Sequence, residues 1–255
     1  MDDGSKITVD VLLTGFPGSS NKTSLGISSV ALAKTAGHTI LLDTAGFGAR
    51  GMLLNELEKR KLTPSDIDMV LVSHLHFDHI ANIDLFPKAE FVVSEAEWLY
   101  VHSNYDLYVQ MPLINTINLY QKRFLKPDEE VLPGISSMST PGHTPGGTTY
   151  IFEDCVSVQG ERWGVTAFAG DAIKNRTELR TGTVGMTYDK ELSAHTIEAV
   201  RKRCNTVIPG HDCVMRIANS EHTQIVPLRE NTFIVTFQPQ LTANNNQQSV
   251  SISLD

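Results

Sequence analysis

Three histidines and an aspartate crowd into Ser73-His74-Leu75-His76-Phe77-Asp78-His79, directly after the apolar run Ile67 to Val72. Imidazole nitrogens and carboxylate oxygens are ligands for zinc and its first-row neighbours, and four of them on one short loop converge on an ion without long loop closure. Buried without partners, that many polar groups would be costly, so a purely structural role would require a partner for each. Three further candidate ligands sit in similar surroundings: His143 in Thr140-Pro141-Gly142-His143, Asp171 in Ala169-Gly170-Asp171, and His211 in Pro209-Gly210-His211. Each follows a strand candidate and a glycine, which lets the backbone turn tightly and brings the next side chain to a sheet edge without a Cβ clash. Strand-end loops are where such sites are built.

The elements that must hold these loops alternate between strand and helix. Residues 7–13, 26–33 and 38–43 read as strands separated by Gly, Pro, Ser and Asn clusters, and 67–72 reads as a buried strand that delivers the histidine loop. Residues 50–61 place Leu53, Leu54 and Leu57 on one helical face. After a short strand at 90–94, residues 95–124 carry Trp98, Tyr100, Tyr105, Tyr108 and Tyr120 and read as helical, either a lid over the site or a packing helix. Short strands return at 135–140, 148–153, 164–170 and 206–210. Between the last two, a helix over 189–203 has Asp189 as its N-cap, Leu192, Thr196, Ala199 and Val200 on one face, and basic residues in its last turn. The C-terminal stretch from Thr232 combines a short apolar run with an Asn/Gln-rich, almost uncharged tail.

At 255 residues the chain can bury a substantial core without disulfides, and one compact domain over 1–231 followed by a short strand or tail over 232–255 is expected. Its composition, 41% hydrophobic and 20% charged, is that of a globular protein, and a net charge of −8 argues against a broad nucleic-acid footprint. Cys155, Cys204 and Cys213 are odd in number and lack Cys-x-x-Cys spacing, which fits a reducing compartment. With acids at the N-terminus and no apolar leader or membrane-length run, a cytoplasmic protein is expected.

The His74-x-His76-x-Asp78-His79 motif with His143, Asp171 and His211 in order resembles the ligand set of the metallo-β-lactamase superfamily, over about residues 8–216. Leu41-Leu42-Asp43-Thr44 is similar to a strand end of that family as well. The resemblance implies an α/β fold, the four-layer αβ/βα sandwich, and two divalent metal ions, zinc first, with iron and manganese open. It also implies that His74, His76 and His143 hold one ion, that Asp78, His79 and His211 hold the second, and that Asp171 bridges them. A hydroxide between the ions would attack a carbonyl, one ion would stabilise the oxyanion, and Asp78 would steer the proton to the leaving group. Asp43 is a candidate to orient a histidine through its distal nitrogen. His38, His102, His195 and His222 fall outside the pattern.

Within the family, His76 stands where the flavodiiron branch has glutamate, and Asp171 where thiolate-using lactamases have cysteine. His-Leu-His-Phe-Asp-His, Phe86-Pro87 and Ala89-Glu90-Phe91 resemble the lactonase-like hydrolases, acyl-homoserine lactonases among them. Those lactonases share a tyrosine three residues after the bridging aspartate; here the residue is Lys174, with Tyr188 a steric substitute. A dinuclear hydrolase of a small ester, lactone or related carbonyl compound is therefore expected. The alternatives are a glyoxalase II-like thioesterase, an RNA phosphodiesterase, suggested by a similarity of Leu42-Asp43-Thr44, Phe86-Pro87 and Pro209-Gly210-His211 to animal family members linked to RNA processing, and an inactive metal-binding scaffold. The expected partner is a small molecule rather than a membrane or nucleic acid, with a homodimer left open. The loop at 15–24 and the segment 98–124 are candidates to select substrate, and Lys22, Lys174 and Arg176 to bind an anionic group.

Overall fold

The computed structural model describes residues 7–18, 21, 26–35, 37–219, 221, 224–229, 232–237 and 248–253, the last two ranges as backbone. The chain opens with an antiparallel meander, β1 (Thr8–Leu13), β2 (Val30–Thr35) and β3 (His38–Leu42). Helix α1 (Arg50–Lys59) then crosses to β4 (Met69–Leu71), which lies parallel to β3 and ends three residues before His74. The one-turn helix α2 (Phe77–Ile80) is followed by β5 (Glu90–Ser94), α3 (Glu95–Ser103), α4 (Met111–Ile117) and β6 (Lys122–Leu125).

The second half runs β7 (Glu130–Leu132), β8 (Ile135–Ser139), β9 (Thr148–Ser157) and β10 (Arg162–Gly170), then α5 (Arg176–Thr181) and α6 (Lys190–Arg203). It continues through β11 (Thr206–Pro209), β12 (Met215–Ile217) and β13 (Ile225–Pro227), while β14 (Thr232–Phe237) and β15 (Gln248–Ser253) pair only with each other among the described residues. Thirteen strands form one mixed sheet in the order β13-β12-β11-β10-β9-β1-β2-β3-β4-β5-β6, with β8 and then β7 joined beside β9.

Alternation of side chains along the strands divides the interior into layers. Met69 and Leu71 of β4 join Val9, Ile40, Tyr150, Phe152, Phe168 and Ile208 in a core drawn from both ends of the sheet, so its halves face each other. Val70 and Val72 point the other way and pack with Leu53 and Leu57 of α1, Val101 of α3, and Ile114 and Ile117 of α4. On the opposite outer face Ala167, Ala169 and Val207 meet Leu179 of α5 and Ile197 and Val200 of α6. Helix, sheet, sheet, helix is the expected four-layer αβ/βα sandwich.

Several local expectations shift. The strand expected at 26–33 begins only at Val30, because the Ser28 hydroxyl and the Ser29 N–H donate to the Asp78 and Gly210 carbonyls instead of to a neighbouring strand. Residues 26–29 instead reach the loops of the site. In α6 Asp189 caps the helix as expected, accepting hydrogen bonds from the Glu191 and Leu192 N–H groups at 2.9 and 3.0 Å. Its buried face is Ser193, Thr196, Ile197 and Val200, one residue round from the predicted face, and Leu192 is exposed. The segment 95–124 is not one helical block: α3 and α4 are separate, and its end belongs to β6, a parallel edge strand on β5.

Candidate metal centre

Every expected ligand lies beyond the C-terminal end of a strand, on the loop that follows or, for Asp78 and His79, on the one-turn helix α2. The 74–79 loop leaves β4, His143 lies between β8 and β9, Asp171 follows β10, and His211 follows β11. The side chains converge in three overlapping groups whose ligand atoms all lie within 4.8 Å of one another: His74, His76 and His143; His74, His79 and Asp171; and Asp78, His79 and His211. Asp171 faces both ends of this cluster. Its Oδ1 is 3.2 Å from His79 Nε2 and 3.3 Å from His211 Nε2, and its Oδ2 is 3.4 Å from His143 Nε2. Asp78 Oδ2 stands 3.4 Å from His211 Nε2.

The groups fit divalent cations. His74 Nε2, His79 Nε2 and Asp171 Oδ1 are buried and have no hydrogen-bond partner among the described residues. His79 and Asp171 approach closely without the alignment of a hydrogen bond, as ligand atoms aimed at a common centre do. Buried polar atoms left unsatisfied are costly, and a cation among them removes that cost.

The electrostatics make the same demand. Burial disfavours charge on His79, but Asp171, Asp78 and Asp43 outweigh it and raise its pKa well above the ordinary histidine value. Burial also opposes ionisation of Asp171, yet His211, His79 and His143 hold its carboxyl well below the usual range. At the other end burial dominates: His74 is pushed well down, and His143 falls to about 3. The field therefore favours positive charge around Asp171.

Each candidate ligand histidine has its other nitrogen occupied, which fixes the ring and selects the nitrogen left for an ion. Asp43 Oδ2 lies 2.7 Å from His79 Nδ1, and the same carboxylate accepts hydrogen bonds from the Ser73 N–H and hydroxyl at 2.8 and 2.7 Å. The Ile27 carbonyl is 3.0 Å from His211 Nδ1, the Met186 carbonyl 3.3 Å from His143 Nδ1, and Ser73 Oγ 3.1 Å from His74 Nδ1. Asp106 Oδ2 lies 3.2 Å from His76 Nε2, leaving Nδ1 toward His143 Nε2 at 3.0 Å.

Backbone anchors complete the frame. The Tyr150 hydroxyl donates to the Val72 and Val92 carbonyls, and Asn82 Nδ2 donates to the carbonyls of Thr44, Ala45 and Gly46. Glu97 is fully buried and accepts hydrogen bonds from the N–H groups of Leu75 and Gly146, both at 3.1 Å. Burial raises its pKa against the hydrogen bonds it accepts. It thereby ties the His74–His76 loop to the His143 loop.

Neither Asp106 nor Glu97 was visible as a site residue in the sequence, because each meets its partner across more than twenty residues with no local spacing to mark it. The expected anion binders are otherwise employed. Arg176 makes a two-pronged ion pair with Asp212, and Lys174 Nζ is 3.1 Å from Glu178 Oε1. Lys22 and His222 lie outside the described residues, as does much of the 15–24 loop. Cys213 is buried and no cysteine joins a metal-holding group among the described residues. His102 packs on Trp98 and belongs to none of the three groups above.

The family model of the metallo-beta-lactamase superfamily matches residues 23–211. Metallo-beta-lactamase domain-containing protein 1 of Mus musculus is 30% identical over 196 residues, covering 75% of this chain and 66% of the relative. An N-acyl homoserine lactonase of a Bacillus species is 27% identical over 164 residues, covering 63% of this chain and 62% of the relative. A solved dizinc quorum-quenching lactonase in complex with a product superimposes with a TM-score of 0.62 at 19% identity, over 81% of each chain, a likeness of fold. With a family match that spans all seven candidate ligands, the chain belongs to the metallo-beta-lactamase superfamily, as a metal-dependent hydrolase.

Proposed function

We propose that this chain is a two-ion hydrolase of small, uncharged lactones or esters. The observation that carries the proposal is Asp171, whose two carboxylate oxygens face the two ends of one histidine cluster. His74, His76 and His143 would hold one ion and Asp78, His79 and His211 the other, with Asp171 shared. Zinc suits this donor set, and iron and manganese accept it too. When bound, such ions bring the pKa of water toward neutrality and withdraw electron density from a carbonyl oxygen. Asp78, with 24% of its side chain exposed, is the most accessible of the seven, and its carboxylate is the group placed to pass a proton to a leaving oxygen.

The surroundings favour an uncharged substrate. Tyr108, Met186 and Tyr188 are exposed beside His76 and His143: the Tyr108 ring is 5.4 Å from that of His76, and the Tyr188 N–H donates to the His143 carbonyl at 3.3 Å. Lys174 and Arg176, which would attract an anion, are ion-paired within the protein. Similarity to N-acyl homoserine lactonases supports a lactone; Lys174 stands where the resemblance expects a tyrosine, and its Nζ meets the Met186 carbonyl at 3.1 Å. All seven ligands precede residue 212, so the activity belongs to residues 1–231. Cys155 and Cys204, both buried and in no disulfide, support a reducing, cytoplasmic setting, and no described helix is long and apolar enough to cross a membrane.

Metal analysis followed by a screen of the loaded protein on lactones, esters, thioesters, β-lactams and single-stranded RNA tests the proposal. Two ions per chain and turnover of a lactone or ester are expected. Turnover confined to thioesters or to RNA would replace it with a thioesterase or a phosphodiesterase, and a loaded protein inert on every class would be a scaffold. A His76→Ala variant that binds ions and turns over substrate like the parent would refute the ligand assignment.

A further inference from the structure

We propose that Asp106 is the positioning residue of His76, so that the connection between α3 and α4 is a working part of the first metal group. The inference rests on the two-ion reading above. Asp106 lies in residues 104–110, which the sequence showed only as part of an aromatic segment. Its Oδ2 is 3.2 Å from His76 Nε2 and accepts a hydrogen bond from the Tyr100 hydroxyl at 3.0 Å, while its Oδ1 accepts from the Tyr108 N–H at 2.8 Å. With 13% of its side chain exposed, the carboxylate is held on three sides.

The same connection is fastened to the histidine loop through the backbone. The Phe77 N–H donates to the Tyr108 carbonyl at 2.9 Å, so the residue after His76 and the residue two after Asp106 are joined directly. Onward, the Tyr108 hydroxyl reaches Met186 Sδ at 3.5 Å, and the Met186 carbonyl is the partner of His143 Nδ1. The outer nitrogens of His76 and His143 are thus held by two segments that touch each other. His79, in the second group, has its carboxylate from Asp43, directly after β3 in the sheet frame. One carboxylate serves each group, from different parts of the fold.

A carboxylate on the outer nitrogen of a ligating imidazole fixes its tautomer, aims the other nitrogen and raises its basicity, and loss of such a partner costs about 10–100-fold in metal affinity. Three full-length variants, Asp106→Ala, Asp106→Asn and Tyr100→Phe, test the inference by cobalt titration, read as ligand-field absorption and by chelator competition. Asp106→Ala is expected to weaken one of two cobalt ions about 10–100-fold and change its bands, leaving the other ion near the parent affinity. In Asp106→Asn the amide oxygen still accepts from Nε2–H without the charge, so a smaller loss at the same ion is expected. Tyr100→Phe removes one support of the carboxylate and shifts that ion in the same direction.

Parent affinities and bands for both ions in Asp106→Ala would overturn the inference. Should Asp106→Ala fail to show a cooperative thermal transition, parent-like binding in both Asp106→Asn and Tyr100→Phe would overturn it equally. A parent that binds fewer than two ions breaks the two-ion reading itself, and the inference with it. A parent with two ions matched by its variants breaks only the assignment of Asp106.

Discussion

Residue 210 must lack a side chain for Asp171 to stand where it does. A Cβ at Gly210 would run into Asp171 Oδ1 and lie 2.9 Å from the Gly170 carbonyl carbon. Gly170 has φ of +49°, and a Cβ there would meet Ser73 Cβ at 2.6 Å, so the second half of the cluster is packed against the first through glycine. Gly210→Ala is expected to displace the shared carboxylate, reducing bound metal from two ions per chain to one or none while far-UV circular dichroism stays close to that of the parent. Retention of both ions at parent affinity would show that Asp171 does not need its present position. At this scale the sequence was most legible where chemistry is local: four candidate ligands in six positions identify the 74–79 loop, and Gly-ligand pairs mark the rest. The reason for the glycines was only half visible. A tight turn can be read from a sequence, but the approach of residue 210 to a carboxylate thirty-nine positions away cannot.

Helix α3 shows how an element can be classified by composition and still be misjudged in its role. Its aromatic residues suggested either a lid or core packing, and the structure supports packing for Trp98 and Tyr100, which border the outer core. The functional contribution is polar: Glu97 in the first turn bridges two ligand loops, and Gly146 lies so close that a Cβ there would strike the backbone of that turn. Glu97→Ala orphans two buried N–H donors, at about 1–3 kcal/mol for each, and should lower the denaturation midpoint in urea and loosen the hold on metal together. Glu97→Gln keeps one good acceptor and should fall between. Equal stability of all three proteins would show that the loops hold themselves. A contrasting pair lies at the start of α1, where Arg50 grips Asp84 at 2.7 and 2.8 Å on the surface. The Arg50 guanidinium lowers the Asp84 pKa, so its contribution is present above the ordinary aspartate value near 3.8 and lost as pH falls below it. Because both side chains are close to half exposed, Asp84→Asn should cost less than about 1 kcal/mol at neutral pH, and the difference should vanish in acid. Loss of several kcal/mol, or a difference that persists at low pH, would contradict this.

Across the whole molecule the candidate metal centre lies on the seam between the two halves of the sandwich. His74, His76, Asp78 and His79 come from the loop after β4, while His143, Asp171 and His211 come from loops after β8, β10 and β11. Both proposed ions would draw ligands from each half, through His143 and Asp171 for one and His211 and Asp171 for the other. The layer order was legible from alternating strands and helices, but the sequence could not show that the halves would be joined through their loops as well as through the shared core of Val9, Ile40, Tyr150 and Phe168. Ions that bind only the folded seam stabilise it by mass action, by about 2.7 kcal/mol for each at a free concentration one hundred times its Kd. For a chain of this size that corresponds to a rise in Tm of about 5–10 °C per ion. Thermal denaturation of the metal-loaded protein with and without a chelator should show that drop, with a transition that remains cooperative because the shared core persists. Gly210→Ala, which disturbs Asp171 without touching the core, should lose most of the chelator response even where its metal-free Tm is near that of the parent. A Tm unmoved by chelation, in a protein shown to hold two ions before the chelator and none after it, would mean that the ions bind the unfolded chain as well as the folded seam.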